Sequence, residues 1–293
     1  AMKTAMHNWM RPETLETTVS RLTDCGYDAI EISGEPEKYP IDETRATLEK
    51  HGMACLGSVS IMTEGRGLTL GDKYQREGTI AYLQDCVRMV GGLDGEIMTI
   101  VPATVGKIAP DASVDEEWAW AVEGMKRVNE VAVDLNVKIA IEPINRFETY
   151  FINRGDQALA LADAVDANIG VCLDAFHMNI EEVDALAAIR QAGSRLLDFH
   201  VADSNRKPPG EGHYDWAATL RTLDEVGYTG HMTVEFVNPI ERTILAGTQE
   251  EAPAEDATAA ELKFIQDHGG GVLSDEEYTA ATKASIDYLK SLA

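Results

Sequence analysis

Two stretches decide the reading of this chain: Val137-Lys138-Ile139-Ala140-Ile141-Glu142 and Ile169-Gly170-Val171-Cys172-Leu173-Asp174. Each is a short run rich in Ile and Val, the pattern of a buried strand, and each ends in a carboxylate. Between them lies a helix-length segment with Ala158, Leu161 and Val165 on one stripe. A carboxylate at the end of a buried strand serves no packing purpose and is costly to desolvate unless something pairs with it. Two in succession point to an open strand end that carries chemistry, with a metal as the natural partner.

Working outward, the same unit repeats. Apolar runs occur at Thr4–Met6, Ala29–Ile32, Ala54–Val59, Ile97–Val101, Lys138–Ile141, Gly170–Leu173, Leu197–Val201 and His231–Phe236. Helical stripes alternate with them. Pro12 stands at a helix start and is followed by Leu15, Val19 and Leu22; Tyr82, Cys86 and Met89 form another stripe. Trp118, Val122, Met125, Val128 and Val131 mark a long helix; Val183, Leu186 and Ile189, then Leu220 and Leu223, mark later ones. Eightfold strand-helix alternation predicts an α/β chain: one parallel sheet closed into a single (β/α)8 TIM barrel over residues 1–293. An open doubly wound sheet would normally bring a glycine-rich turn after its first strand. Here His7-Asn8-Trp9-Met10 occupies that place.

The last strand and last helix are far apart. Residues 237–273 hold an acidic stretch from Glu250 to Asp256, a helical pattern from Ala259 to His268, and Gly269-Gly270-Gly271. A final helix is expected from Ser274, with Glu277 completing a capping box. An inserted connection of this length predicts a lid, a subunit-interface element or a mobile loop.

Composition narrows the partners. The 25 basic and 50 acidic residues give a formal charge of -25, which argues against nucleic acid and anionic membrane and disfavours a highly phosphorylated substrate. A solubility or salt-adaptation surface explains the same balance without any ligand. Cys25, Cys55, Cys86 and Cys172 are scattered, with no Cys-x-x-Cys, and read as small apolar residues. No apolar run approaches a membrane span, and Ala1-Met2-Lys3-Thr4 lacks a signal-peptide pattern. Ala1 before Met2 reads as a cloning remnant, and the expected location is cytoplasmic.

In a (β/α)8 barrel the active site lies at the C-terminal ends of the strands. Read in turn, those ends carry Glu142, Asp174, His200 and Glu235 on strands five to eight. Three carboxylates and one imidazole suit Mn2+, Mg2+ or Co2+ better than a thiolate-seeking metal. A divalent ion chelated by neighbouring oxygens of a ketose polarises the carbonyl and acidifies the adjacent C–H. Two carboxylates flanking the sugar then remove and return that proton. Glu142 and Glu235 are the acid/base candidates and also ligands; Asp174 and His200 are ligands only. His177 and Arg206 could hydrogen-bond sugar hydroxyls, and Trp9 could stack on a sugar face. Plainer readings exist for each: a helix-capping glutamate, a satisfied core histidine, a structural salt bridge, a packed indole. Asp203 reads as a loop or supporting residue. The joint pattern on four consecutive strand ends favours the site.

Three segments carry a resemblance: Glu142-Pro143-Ile144-Asn145-Arg146-Phe147-Glu148, Leu173-Asp174-Ala175-Phe176-His177-Met178-Asn179-Ile180-Glu181-Glu182 and Asn205-Arg206-Lys207-Pro208-Pro209-Gly210-Glu211-Gly212. In them the chain resembles the D-tagatose/D-allulose (psicose) 3-epimerase family of the xylose-isomerase-like sugar isomerase/epimerase barrels. The resemblance is specific across residues 137–236. It implies Mn2+ or a related ion on Glu142, Asp174, His200 and Glu235, with Glu142 and Glu235 transferring the proton. It also implies Glu148, His177 and Arg206 as contacts to the sugar, and a homodimer or homotetramer. The loops Met6 to Arg11 and Pro102 to Lys107, and the segment from Val237, depart from that family. The chain is similar as well to catalytic subunits of C-glycoside deglycosidases, which act on 3-oxo-glycosides with a smaller partner subunit. The expected activity is a metal-dependent isomerase or epimerase of a non-phosphorylated keto-sugar, acting through an enediolate. The alternative is a lyase that shares the first step and then eliminates an aglycone.

Overall fold

The computed structural model describes residues 2–239, 241, 243–246, 258–271 and 273–293. The acidic stretch Glu250 to Asp256 lies outside the described residues. Eight strands form the barrel: β1 (Lys3–His7), β2 (Ala29–Ser33), β3 (Ala54–Val59), β4 (Ile97–Ile100), β5 (Lys138–Ile141), β6 (Gly170–Asp174), β7 (Leu196–Val201) and β8 (His231–Val234). They pair in parallel in chain order, and β1 closes on β8. The helices between them are α1 (Leu15–Cys25), α2 (Ile41–His51), α3 (Lys73–Gly92), α4 (Val114–Asp134), α5 (Gly155–Val165), α6 (Ala175–Glu181), α7 (Ala185–Ala192) and α8 (Trp216–Glu225). Beyond β8 follow α9 (Ala259–Asp267) and α10 (Asp275–Ser291). Among the described residues no helix is long and apolar enough to cross a membrane.

The expected strands are all present, with ends shifted by a residue or two. β5 stops at Ile141 and β8 at Val234, so Glu142 and Glu235 are the first residues beyond their strands. Helix α6 is not marked by any of the sequence stripes: it starts directly after Asp174 and ends at Glu181. The reason is local: Asp174 Oδ1 accepts from the backbone N–H groups of Phe176 at 2.8 Å and His177 at 3.2 Å. This side chain caps α6 and satisfies donors that a helix start leaves open.

The main core lies between barrel and helices. Leu22, Ile30, Leu83, Met98, Met125, Val128, Ile141, Leu161 and Phe199 are buried there. Full burial of one such side chain contributes about 1.5–3 kcal/mol. Inside the barrel, the layer below the site is closed by Ala5, Ala29, Leu56, Ile97, Ala140 and Cys172. Gly57 permits the close approach of β3 and β4, since a Cβ there would sit 1.8 Å from the Ile97 carbonyl oxygen. All four cysteines are free and buried. The expected capping box of the last helix is formed by Ser274 and Glu277.

The described ends of the 237–273 connection are tied together. Pro239 and Gly270 form an antiparallel bridge, and the Gly271 N–H donates to the Asn238 carbonyl at 2.7 Å. α9 is anchored over the barrel mouth by Ile265, which packs with Met10 and Val237. A capping box of Thr258 and Glu261 starts it.

Candidate active site

The four strand-end residues converge. One ligand atom from each of Glu142, Asp174, His200 and Glu235 lies within 4.8 Å of the others. The register places Asp174 beside His200 on neighbouring strands. His200 Nδ1 stands 2.8 Å from Glu142 Oε2 and 3.9 Å from Asp174 Oδ2, and it also touches Glu235 Oε2. That contact is off hydrogen-bonding geometry, and Glu235 Oε2 has no other partner among the described residues. Glu235 Oε1 accepts from the Trp9 indole N–H at 3.1 Å. All four residues are buried.

Electrostatics set the demand for a cation. Burial pushes Glu142 up to about 7, with the charges of Glu235 and Asp174 adding to it. Burial acts in the same direction on Glu235, but the charges of His200 and Arg206 outweigh it and hold that carboxyl well below the usual range. Burial disfavours a charged His200, yet the anions around it raise it well above the ordinary imidazole value. Two further carboxylates, Glu31 and Asp198, lie behind the ring. Five carboxyl groups thus face one imidazole and one guanidinium. A three-oxygen, one-nitrogen donor set with a partnerless carboxylate oxygen fits a divalent ion of the Mn2+ or Mg2+ class.

The expected sugar contacts surround this cluster. Arg206 Nη1 donates to Asp174 Oδ2 at 2.7 Å, and Nη2 lies 3.6 Å from Glu235 Oε1. His177 Nδ1 accepts from the Asn145 backbone N–H at 3.0 Å, so its proton sits on Nε2. Burial lowers the His177 value, keeping the ring neutral. Glu148 accepts from the Asn145 side-chain amide and stands 3.6 Å from His177 Nδ1. The loop bearing Asn145 and Glu148 is fixed by Glu181, which accepts from the Arg146 backbone at 2.7 Å and its guanidinium at 2.9 and 3.0 Å.

Asp203 proves to be the organiser of the loop after β7. Its carboxylate accepts from the N–H groups of Ser204 at 2.7 Å, Gly210 at 2.8 Å and Tyr214 at 3.0 Å, and from the Trp216 indole at 3.0 Å. A Cβ at Gly212 would lie 2.1 Å from Asp203 Oδ1, so only glycine lets the loop fold around this carboxylate. The loop holds Arg206 at φ 66°, the left-handed region that non-glycine residues rarely adopt.

Sequence reading missed Glu31, Asp198 and His7. Glu31 Oε2 lies 3.0 Å and Asp198 Oδ2 3.3 Å from His200 Nε2. Alternation was the available signal: Asp198 stands two residues before His200 and shares its face. His7 is buried at the end of β1, and neither ring nitrogen has a hydrogen-bond partner among the described residues. Burial pushes it down to about 4, so it is neutral.

Above the cluster is a chamber of about 40 Å³, bordered by Trp9, Met62, Glu142, Glu148, His177, Arg206, Glu235, Phe264 and His268. It shares Trp9, Val105, Glu148, Arg206, Phe264 and His268 with a groove of about 1210 Å³, where Leu70, Phe147, Phe176 and Ile180 add apolar surface. Trp9 is partly buried against Met10, Val237 and Ile265. Its ring meets Phe264 at 5.3 Å and His268 at 5.4 Å, between centroids, so α9 roofs the chamber.

Barrel and site together define a sugar-isomerase type of TIM barrel. Residues 19–268 match the family described as "Xylose isomerase-like TIM barrel", and the chain belongs to that family of enzymes. The D-psicose 3-epimerase of Agrobacterium fabrum (strain C58) is 32% identical over 228 residues, covering 74% of this chain and 77% of the relative. The D-psicose 3-epimerase of Ruminiclostridium cellulolyticum is 30% identical over 230 residues, covering 74% and 76%. The crystal structure of a D-allulose 3-epimerase from Methylomonas sp. matches the fold with a TM-score of 0.84 at 22% identity, over 100% of this chain and 98% of that one.

Proposed function

We propose that the chain is a divalent-metal-dependent isomerase or epimerase of a non-phosphorylated keto-sugar, of the ketose 3-epimerase kind. The observation that carries this reading is the convergence of Glu142, Asp174, His200 and Glu235 on one point, at a small chamber that shares its lining with the large groove. Those four residues would hold the ion, with Mn2+ first and Mg2+ or Co2+ fitting the same donors. When bound, the ion supplies a Lewis acid that polarises the substrate carbonyl. Glu142 and Glu235 both border the chamber and would exchange a proton with the carbon next to that carbonyl. One removes it to give an enediolate; the other returns it on the opposite face. Trp9 orients Glu235 through its indole N–H. His177 offers Nε2–H, and Arg206 and Glu148 offer charge, to the sugar's carbonyl and hydroxyls.

The charge balance around the site supports an uncharged sugar. Lys107 pairs with Asp111 at 2.7 Å, Lys263 with Asp267, and Arg206 with Asp174. Each cation lining the groove is thus already neutralised among the described residues, which leaves no ready phosphate site. Residues 237–273 act in this reading as a lid or interface element, supported by the seat of α9 on Trp9. A homodimer or homotetramer, located in the cytoplasm, completes the proposal.

The groove favours one second reading. Its volume of about 1210 Å³ is larger than the ~300–1,000 Å³ typical of small-ligand pockets, and it opens from the chamber. A 3-oxo-glycoside would place its ketone at the four-residue cluster and its aglycone in the groove, giving a C-glycoside deglycosidase-like lyase with a small partner subunit. Proton exchange from D2O into substrate tests both readings, and product analysis separates an epimer from a released aglycone.

A further inference from the structure

The imidazole of His200 has carboxylates on both sides. Nδ1 faces the proposed metal ligands, while Nε2 faces Glu31 at 3.0 Å and Asp198 at 3.3 Å. A neutral imidazole carries one N–H and one lone pair, and what its second nitrogen bonds to decides which is which. A ring that gives its Nδ1 lone pair to a cation must carry its proton on Nε2, and that proton needs an acceptor.

Glu31 and Asp198 have little else to do. Both are fully enclosed inside the barrel, in or beside a layer of Ala5, Ala29, Leu56, Ile97, Ala140 and Cys172. Asp198 Oδ1 is fixed by the Phe199 N–H at 2.9 Å and the Thr233 hydroxyl at 2.7 Å, which leaves Oδ2 aimed at the ring. Glu31 Oε1 has no hydrogen-bond partner, and Oε2 meets His200. Apolar residues at both positions would pack the barrel at lower cost, because unpaired buried carboxylates are destabilising. Histidine metal ligands are commonly oriented by an acceptor on their other nitrogen.

We infer that Glu31 and Asp198 are positioning residues that hold the His200 proton on Nε2 and so present Nδ1 to the ion. This rests on the metal centre proposed above. Loss of these acceptors frees the ring to flip its tautomer, and Nδ1 then becomes a donor that repels the ion. Glu31 Oε2 is the hydrogen-bonded acceptor, and Asp198 Oδ2, 3.3 Å from Nε2 and with no hydrogen bond among the described residues, is the second anion facing it.

The test measures Mn2+ affinity by titration with electron paramagnetic detection. It compares the native chain with Glu31→Leu, Asp198→Val and the double variant, which remove the acceptor atoms. The double variant should bind Mn2+ about 10- to 100-fold more weakly, and each single variant less so. The metal-free thermal midpoint should stay level or rise, since two buried charges are gone. A folded double variant with native Mn2+ affinity overturns the inference. Nitrogen-15 spectra of the Mg2+-loaded native chain give an independent reading. A proton on Nε2 of His200 supports the inference, and a proton on Nδ1 overturns it even where variants fail to fold. A native chain that binds no Mn2+ overturns the metal centre itself, a result distinct from a centre that binds and ignores Glu31 and Asp198.

Discussion

Arg206 donates from Nη1 to Asp174 Oδ2 at 2.7 Å while its own backbone sits at φ 66°. A left-handed arginine costs on the order of 1 kcal/mol or more, and the fold accepts that cost to lay a guanidinium over the ligand cluster. The Arg206 carbonyl accepts from the Val237 N–H at 2.8 Å, so the loop is also tied to the strand-eight exit. Replacing Arg206 by Ala should lower kcat/KM about 10- to 100-fold, the equivalent of one charged hydrogen bond of ~1.5–3 kcal/mol. Steady-state kinetics with parallel Mn2+ titration check this. Native kinetics would remove Arg206 from substrate binding.

Glu235 combines two proposed roles, ligand and proton carrier. Glu235→Gln keeps the shape and the Trp9 contact but loses the charge. Turnover should fall by about 10²–10⁴-fold, the usual weight of a positioned acid or base, and metal affinity should weaken as well. Full activity in that variant would take Glu235 out of the mechanism.

Metal removal should act on stability as well as activity. A chelator should abolish turnover and lower the thermal midpoint, and excess Mn2+ should restore both. At 100 times its dissociation constant the ion stabilises by about 2.7 kcal/mol. A midpoint indifferent to chelator and Mn2+ would speak against a bound ion.

Asp203 should make the active-site loop acid-sensitive. Burial would raise its carboxyl, but the Trp216 indole and three backbone N–H groups outweigh this and lower it. A lowered carboxyl contributes stability above the unfolded value of about 3.9, and that contribution is lost as pH falls through the folded value. Asp203→Asn should therefore cost about 1–3 kcal/mol near neutral pH, with the gap to the native chain closing in acid. Urea denaturation across pH 3–7 reads it; a pH-independent gap would contradict it.

α9 should govern access rather than metal holding. Phe264→Ala removes the ring that meets Trp9 at 5.3 Å and should raise KM several-fold with unchanged Mn2+ affinity. Loss of metal binding would instead make residues 237–273 part of the site's scaffold.

Much of this was legible in the sequence for physical reasons. The barrel showed because parallel strands buried on both faces read as apolar runs, and the helices between them read as stripes. Glu142, Asp174, His200 and Glu235 showed because a charge at the end of such a run stands out. Glu31 and Asp198 sit inside their runs, flanked by apolar residues, so neither stands out as a run-end charge does; only the two-residue spacing of Asp198 from His200 marks a shared face. The cap that Asp174 places on α6 was not legible either, because a residue already assigned to a strand and a metal leaves no visible cue for a third task. The bonds of Asp203 depend on how a loop folds back over eleven residues to Tyr214, which spacing alone does not reveal.

The central claim is proton exchange at the carbon beside a metal-chelated carbonyl. The most direct measurement is nuclear magnetic resonance of a non-phosphorylated ketose such as D-allulose incubated in D2O with the Mn2+-loaded chain. The account predicts deuterium at C3 and appearance of the C3 epimer, with the epimer lost in Glu235→Gln. Epimer formed without solvent deuterium, or epimer that still forms at the native rate in Glu235→Gln, would contradict it.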